Sequence, residues 1–126
     1  MEAEGIRTLA DAGMDIGFHT LFHPVLPTLP DRELEAALID GRAELADAAG
    51  NRIELLAYPH GRGDARVAQQ ARRAGYSAAF TNQSYPITRR SDPFLLGRWD
   101  TRHLNPEEFR RSLLLRLNRP GSGPAL

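Results

Sequence analysis

Apolar residues near the start of the chain fall at Ile6, Leu9 and Ala10, one face of a helix, and Gly13 supplies a stop. A short helix is expected over residues 6–12. The next stretch changes period: Met14, Ile16 and Phe18 alternate with Asp15 and Gly17, the two-residue repeat of a strand. Residues 19–30 carry three prolines and read as a loop. The strongest helical stripe follows over residues 31–50, where Leu34, Leu38, Leu45 and Ala48 share a face and Gly50 ends it. Residues 52–58 form a short apolar strand that runs into a turn-rich loop. Asp64 is placed to cap the next helix, whose buried side is Val67, Ala68 and Ala71, and Gly75 stops it. Residues 76–81 and 94–99 read as two more strands, separated by the long loop 82–93. Asn105, Pro106 and Glu108 mark a last helix start with capping-box character, and Phe109, Leu113 and Leu117 supply its apolar face. The tail, residues 118–126, reads as disordered.

Strands that alternate with helices or long loops predict a parallel α/β sheet. In such folds the loops after the strand C-terminal ends build the site. Here those loops are 19–30, 58–63, 82–93 and 99–104. The four histidines, His19, His23, His60 and His103, all fall in them.

Composition narrows the chemistry. With 126 residues the chain has room for one ordinary domain. Sixteen basic and sixteen acidic residues cancel, so no global field points to nucleic acid or an anionic membrane. Residues 98–126 carry six arginines against three acidic residues, but their helix has an ordinary apolar stripe; nucleic acid is not an expected partner. There is no cysteine, which excludes disulfides, thiolate ligands and a cysteine nucleophile. Any metal must sit on His, Asp or Glu. No apolar run approaches the roughly 18 residues of a membrane span, and the acidic, amphipathic N-terminus does not read as a signal peptide.

The stretch Gly17–Pro24, GFHTLFHP, sets two histidines four positions apart. Pro24 disfavours helical backbone at His23, so the pair crosses from a strand end into a turn, which the Thr20 hydroxyl is placed to hold. Spacing alone leaves two readings open: a metal site of the zinc class, or loop histidines without a ligand. A catalytic site of that class takes three protein ligands plus water. The only carboxylate close in sequence is Asp15, on the preceding strand, while His60 and Asp64 approach from the next loop.

Taken in order, these motifs resemble the polysaccharide deacetylases, metal-dependent enzymes that remove acetyl groups from sugars. The likeness runs from about residue 5 to about residue 117. AGMDIGFHTLFHP (residues 12–24) resembles the family's His-Ser/Thr-x-x-His motif, and ELLAYPHG (54–61) the motif ending in Pro-Tyr-Gly. ARRAGYSAAFTN (71–82) resembles the helix and strand that follow, and DPFLLGRWDT (92–101) a late strand carrying an arginine. The resemblance implies a partial (β/α) barrel, with about four parallel strands and flanking helices over residues 1–117. His19 and His23 become ligands of a divalent metal, zinc first, with cobalt, nickel and manganese as alternatives. Pro59, His60 and Gly61 line the groove and its oxyanion loop, and Arg98 matches the late, orienting arginine. Trp99 and Tyr85 are candidate sugar contacts, each weighed against plain packing or a solvent-facing loop position. The partner is a polysaccharide or oligosaccharide of acetylated amino sugars.

The departures from the family are equally specific. Its Thr-Phe-Asp-Asp motif, which supplies the catalytic base and the third metal ligand, lies well upstream of the histidines, and no Asp-Asp occurs here. His60 stands where the family usually has tyrosine, and Ala57 where many members carry arginine. His103 makes a poor match to the family's late histidine. The chain alone is therefore expected to be inactive or nearly so, with a non-catalytic carbohydrate-binding or interaction module as the alternative. Export or envelope association would require a signal upstream. A four-stranded partial sheet would also leave a bare edge, a site for self-association.

Overall fold

The computed structural model describes residues 2–117. The expected disordered tail, 118–126, lies outside them. Among the described residues the helices are α1 (Ala3–Asp11), α2 (Asp31–Ile39), α3 (Arg42–Ala49), α4 (Ala65–Arg73) and α5 (Pro106–Leu117), and the strands are β1 (Leu55–Ala57) and β2 (Ala78–Phe80). Single 3₁₀ turns occupy Leu26–Thr28 and Pro59–Gly61.

β1 and β2 pair in parallel, with Leu55 opposite Ala78, Leu56 opposite Ala79 and Ala57 opposite Phe80. One parallel bridge adds Phe18 beside Leu56, and another adds Leu96 beside Phe80. The four expected segments therefore lie side by side in the order 18, β1, β2, 96, but two of them are strands and two are single bridges. A four-stranded barrel wall is not what forms.

Hydrogen bonding explains why. Phe18 N–H donates to Leu55 O at 2.8 Å, and Ala57 N–H donates to Phe18 O at 2.9 Å. The next acceptor along that ladder, Ile53 O, is taken instead by the Arg42 guanidinium, whose Nε lies 2.8 Å away. On the other edge Phe94 N–H turns to the Asp92 carboxylate at 2.8 Å, and Ala79 N–H bonds Pro93 O at 2.9 Å. Phe94 O in turn accepts from the Tyr58 hydroxyl at 2.7 Å.

The helix expected over residues 31–50 is broken in two. Asp40 is extended and Gly41 has φ +84°, a left-handed conformation that suits glycine. The break brings Arg42 round to cap other elements. Its Nη1 donates to Ala74 O at 2.6 Å at the C-terminus of α4, its Nε and Nη2 donate to Ile53 O, and its guanidinium stacks 4.0 Å over the Tyr76 ring. One side chain thus satisfies carbonyls of two segments. Arg42→Met is expected to lower stability by about 2–3 kcal/mol, the scale of a lost charged hydrogen-bond set, read as a shift in the urea midpoint with unchanged slope.

The core gathers on one face of this small sheet. Leu56 and Ala79, the central residues of the strands, are fully buried against Leu34 and Leu38 of α2 and Val67 and Ala71 of α4. Side chains alternate along a strand, and Leu55, Ala57, Ala78 and Phe80 on the other face are only half-buried. The helix starts expected from local chemistry form: Asp64 accepts from Val67 N–H, and Asn105 and Glu108 bond reciprocally across the first turn of α5. The apolar stripe of α5 behaves differently from its expected role. No residue of this helix is buried, and Leu113, Leu114, Leu115 and Leu117 face solvent. No helix among the described residues is long and apolar enough to cross a membrane.

Candidate functional site

The loops that leave the C-terminal ends of the parallel segments bring three histidines together. The rings of His19 and His23 stand 4.8 Å apart, edge to face, and those of His23 and His60 stand 4.3 Å apart. His19 follows directly on the bridging residue Phe18, and His60 lies in the 3₁₀ turn just after β1. The fourth histidine, His103, lies in the loop before α5 and is exposed.

Backbone strain is concentrated here. Thr20, His23 and His60 have φ of +65°, +52° and +55°, and they are the non-glycine residues with positive φ among the described residues. Such conformations cost of order 1–3 kcal/mol each and persist where the surroundings enforce them. The Thr20 hydroxyl accepts from His23 N–H at 3.0 Å and closes the turn as its sequence position suggested.

The hydrogen bonds also fix which ring nitrogens are available. His19 Nδ1 lies 2.7 Å from Ala57 O. A carbonyl only accepts, so Nδ1 carries the proton and Nε2 holds the lone pair. His60 Nε2 lies 3.3 Å from His23 O and by the same logic is protonated, leaving Nδ1 as the acceptor. Desolvation, then the neighbouring His60 and His19 rings, lower the pKa of His23 from its ordinary value. Its neutral, ligating form is favoured at neutral pH.

No three His, Asp or Glu side chains among the described residues converge as a ready metal cage. Asp64, expected to approach the pair, caps α4 instead. Asp100, beside Arg98 and Trp99 in sequence, is held by Arg102 through Nε and Nη2 at 3.0 and 2.6 Å, which brings its pKa down to about 2. Neither is a free base for the histidine loop.

The oxyanion loop is narrower than the sequence suggested. Pro59 has no N–H, and Gly61 N–H is committed to Tyr58 O at 2.9 Å. His60 N–H is the donor this turn offers. Gly61 has φ +66°, and a side chain there would run into the Asn82 side chain. Gly61→Ala is therefore expected to cost about 1–3 kcal/mol through left-handed strain plus crowding, seen as a lower melting temperature. Asn82 was missed in the sequence, although its place just past the end of β2 marks it. Its Oδ1 accepts from Arg98 Nη2 at 2.8 Å, while Arg98 Nε donates to Thr81 O at 2.9 Å. Arg98 is thereby anchored beside the 59–61 turn.

Two expected sugar contacts also make packing or hydrogen-bond contacts within the fold. The Trp99 ring stacks on Phe109 at 5.4 Å and has the Arg116 guanidinium 4.6 Å from its centre, so it seats α5. The Tyr85 hydroxyl donates to Leu95 O, and the residue braces the long loop.

The chain resembles a deacetylase from Streptococcus pyogenes solved with acetate, at a TM-score of 0.81 and 21% identity, over 94% of this chain and 51% of that one. A polysaccharide deacetylase from Bacillus cereus aligns at a TM-score of 0.77 and 22% identity, over 90% of this chain and 36% of that one. IcaB from Ammonifex degensii aligns at 0.71 and 25% identity, over 90% and 52%. The chain thus spans between about a third and a half of the length of these structures. No curated protein sequence matches it. The family model described as polysaccharide deacetylase matches residues 1–79, more than half of the chain and the whole of the histidine loop and the 59–61 turn. With that match laid over a parallel sheet whose loops gather His19, His23 and His60, the chain belongs to the polysaccharide deacetylase family.

Proposed function

We propose that this chain supplies the histidine metal ligands and the groove loop of a hydrolase that removes acetyl groups from acetylated amino-sugar polymers. The observation that carries this reading is the 2.7 Å hydrogen bond between His19 Nδ1 and Ala57 O. A ring N–H tied to a backbone carbonyl is the arrangement by which metal-ligating histidines present a lone pair from the other nitrogen. His23 stands edge-on against the His19 ring, with its pKa lowered from the ordinary value. Two imidazole nitrogens with a carboxylate suit zinc, and also cobalt, nickel or manganese.

When bound, the cation supplies Lewis acidity to the acetyl carbonyl. His19 and His23 are the residues that would hold it. His60 N–H is aimed from a strained turn and donates to the oxygen that gains negative charge as the carbonyl is attacked. Asn82 and Thr81 O hold the Arg98 guanidinium beside that turn, where its positive charge orients a carboxylate or the developing anion. The base that takes the proton from the attacking water is a carboxylate, and no Asp-Asp pair occurs in this sequence. Acetate release by this chain alone is therefore expected at the background rate.

Titrating an N-acetylglucosamine oligomer into isotope-labelled protein with zinc present tests the substrate side. The expected result is amide shifts at residues 19–23, 60–61, 82–83 and 98. Shifts confined to other surfaces, or none at millimolar sugar, contradict the reading. Acetate release well above background shows that the chain needs no added carboxylate base.

A further inference from the structure

Beside the histidine turn lies a cavity of about 290 Å³ that the reaction described above does not use. Leu21, Phe22 and Pro24 line one side of it, and Glu33, Ala36 and Ala37 of α2 line the other, with Asp40 just past the helix end. We propose that this groove is a neighbouring-sugar subsite for a hexosamine whose amine is already free, with the ring stacked on Phe22 and the ammonium held by Glu33 or Asp40; this rests on the reading of the chain as part of an amino-sugar deacetylase.

Three observations carry the proposal. The first is the aromatic. Phe22 directly precedes His23 and is 83% exposed. A single exposed apolar residue is ordinary, but Leu21 beside it is exposed too, and both border one concavity. Leu21 lies against Gly41, 3.4 Å from where a Cβ would stand, so the break after α2 shapes that end of the groove. A phenyl ring offers a large apolar area, and one face of a pyranose offers the C–H groups to cover it. The second is the floor. Ala36 and Ala37 are small, and they lie between Glu33 and Asp40, seven positions or about 10 Å apart along the helix axis. The third is charge. The lining holds two carboxylates and no basic residue. Among the described residues neither carboxylate enters a salt bridge, whereas Asp31 of the same helix is held by Arg66 at 2.6 Å. Asp40 stands at the C-terminal end of α2, where the helix dipole disfavours a negative charge, so helix stability does not account for it. An apolar floor with a few polar groups at its rim is the usual build of a small-ligand site, and here the rim is negative. An N-acetylated neighbour brings no charge to meet it; a free amine, protonated, does. The product of one deacetylation is then the sugar recognised beside the next.

The test titrates a glucosamine tetramer and an N-acetylglucosamine tetramer into the isotope-labelled full chain, without added metal so that the amine has no cation to ligate, and at low salt where exposed charges are least screened. The wild type is compared with Phe22→Ala and with the double variant Glu33→Gln plus Asp40→Asn; all three side chains are exposed, so the fold is expected to survive. The glucosamine tetramer is expected to shift the amides of residues 33, 36, 37 and 40 and to bind about 5-fold more tightly than the acetylated one, the scale of one or two exposed ion pairs. Phe22→Ala is expected to weaken both tetramers, and the double variant to weaken only the glucosamine tetramer and bring the two level. Equal affinities in the wild type, a preference that survives the double variant, or no shifts along α2 overturn the inference. If α2 stays silent while the zinc-loaded titration above shifts residues 60–61, 82–83 and 98, the subsite alone falls and the deacetylase reading stands. If α2 responds and that titration moves none of those residues, the reading falls and the subsite falls with it.

Discussion

Leu56→Ala is expected to destabilise the chain by about 3–5 kcal/mol, the range for opening a cavity at a fully buried leucine. Leu56 is the middle residue of a three-residue strand and has no solvent exposure. It pairs with Ala79 on one side and with Phe18 on the other, and those neighbours have little slack to fill the space. Ala79 is already small, and Phe18 is fixed by two backbone hydrogen bonds and by packing on Tyr76 at 6.5 Å. Domains of this size have about 5–15 kcal/mol in total, so the variant is expected to be partly unfolded at room temperature. Because Phe18 directly precedes His19, the loss reaches the histidine loop as well. Urea denaturation followed by circular dichroism measures it. Leu56→Met, which conserves volume, is expected to cost less than about 1.5 kcal/mol. A loss below about 1 kcal/mol in Leu56→Ala would mean that the core is centred elsewhere.

Replacing His19 and His23 together with alanine is expected to weaken zinc binding by more than about 100-fold, since loss of even an outer-sphere partner costs 10- to 100-fold. Fold stability should change little in the same variant, because both side chains are exposed and neither belongs to the core. His19 does lose its bond to Ala57 O, but that carbonyl lies at the edge of the site where water can replace it. Calorimetric titration of zinc into wild type and variant separates the two effects. Unchanged affinity in the variant would place any zinc site elsewhere and remove the basis for a metal-dependent mechanism.

What the sequence made legible was local. Asp64 and Asn105 cap helices because a short polar side chain reaches its own helix N-terminus whatever else the chain does. Thr20 closes the histidine turn for the same reason. The positions of the four parallel segments were legible, because short apolar runs bounded by turn residues mark each of them. Their extent was not legible. Whether Ile16 joins a ladder depends on Arg42, 26 positions on, claiming the Ile53 carbonyl, and no window around Ile16 contains that fact. Gly41 could be read as one weak residue in a long helix, yet it turns the chain and delivers that arginine.

The site divides in the same way. The His19 and His23 pair is a motif in sequence, and Gly61 and Arg98 stand in further motifs. The approach of His60 to His23 is a contact between loops after different segments, and only the fold makes it. Trp99 shows the converse. An aromatic past a strand end suggested a sugar platform, and its contacts with Phe109 and Arg116 of α5 could not be read from its own neighbourhood. Helical periodicity placed Leu113 and Leu117 on an apolar face and said nothing of whether that face finds a partner. Phe109 stacks on Trp99, while Leu113 and Leu117 stay exposed.

The central claim is that His19 and His23 hold a divalent cation. Crystals grown with zinc, and diffraction recorded on both sides of the zinc absorption edge, test it most directly. The account predicts one strong anomalous peak about 2.0–2.1 Å from His19 Nε2 and from a ring nitrogen of His23. A map with no peak in the loop 19–23, or with zinc bound only at other surfaces, would contradict it.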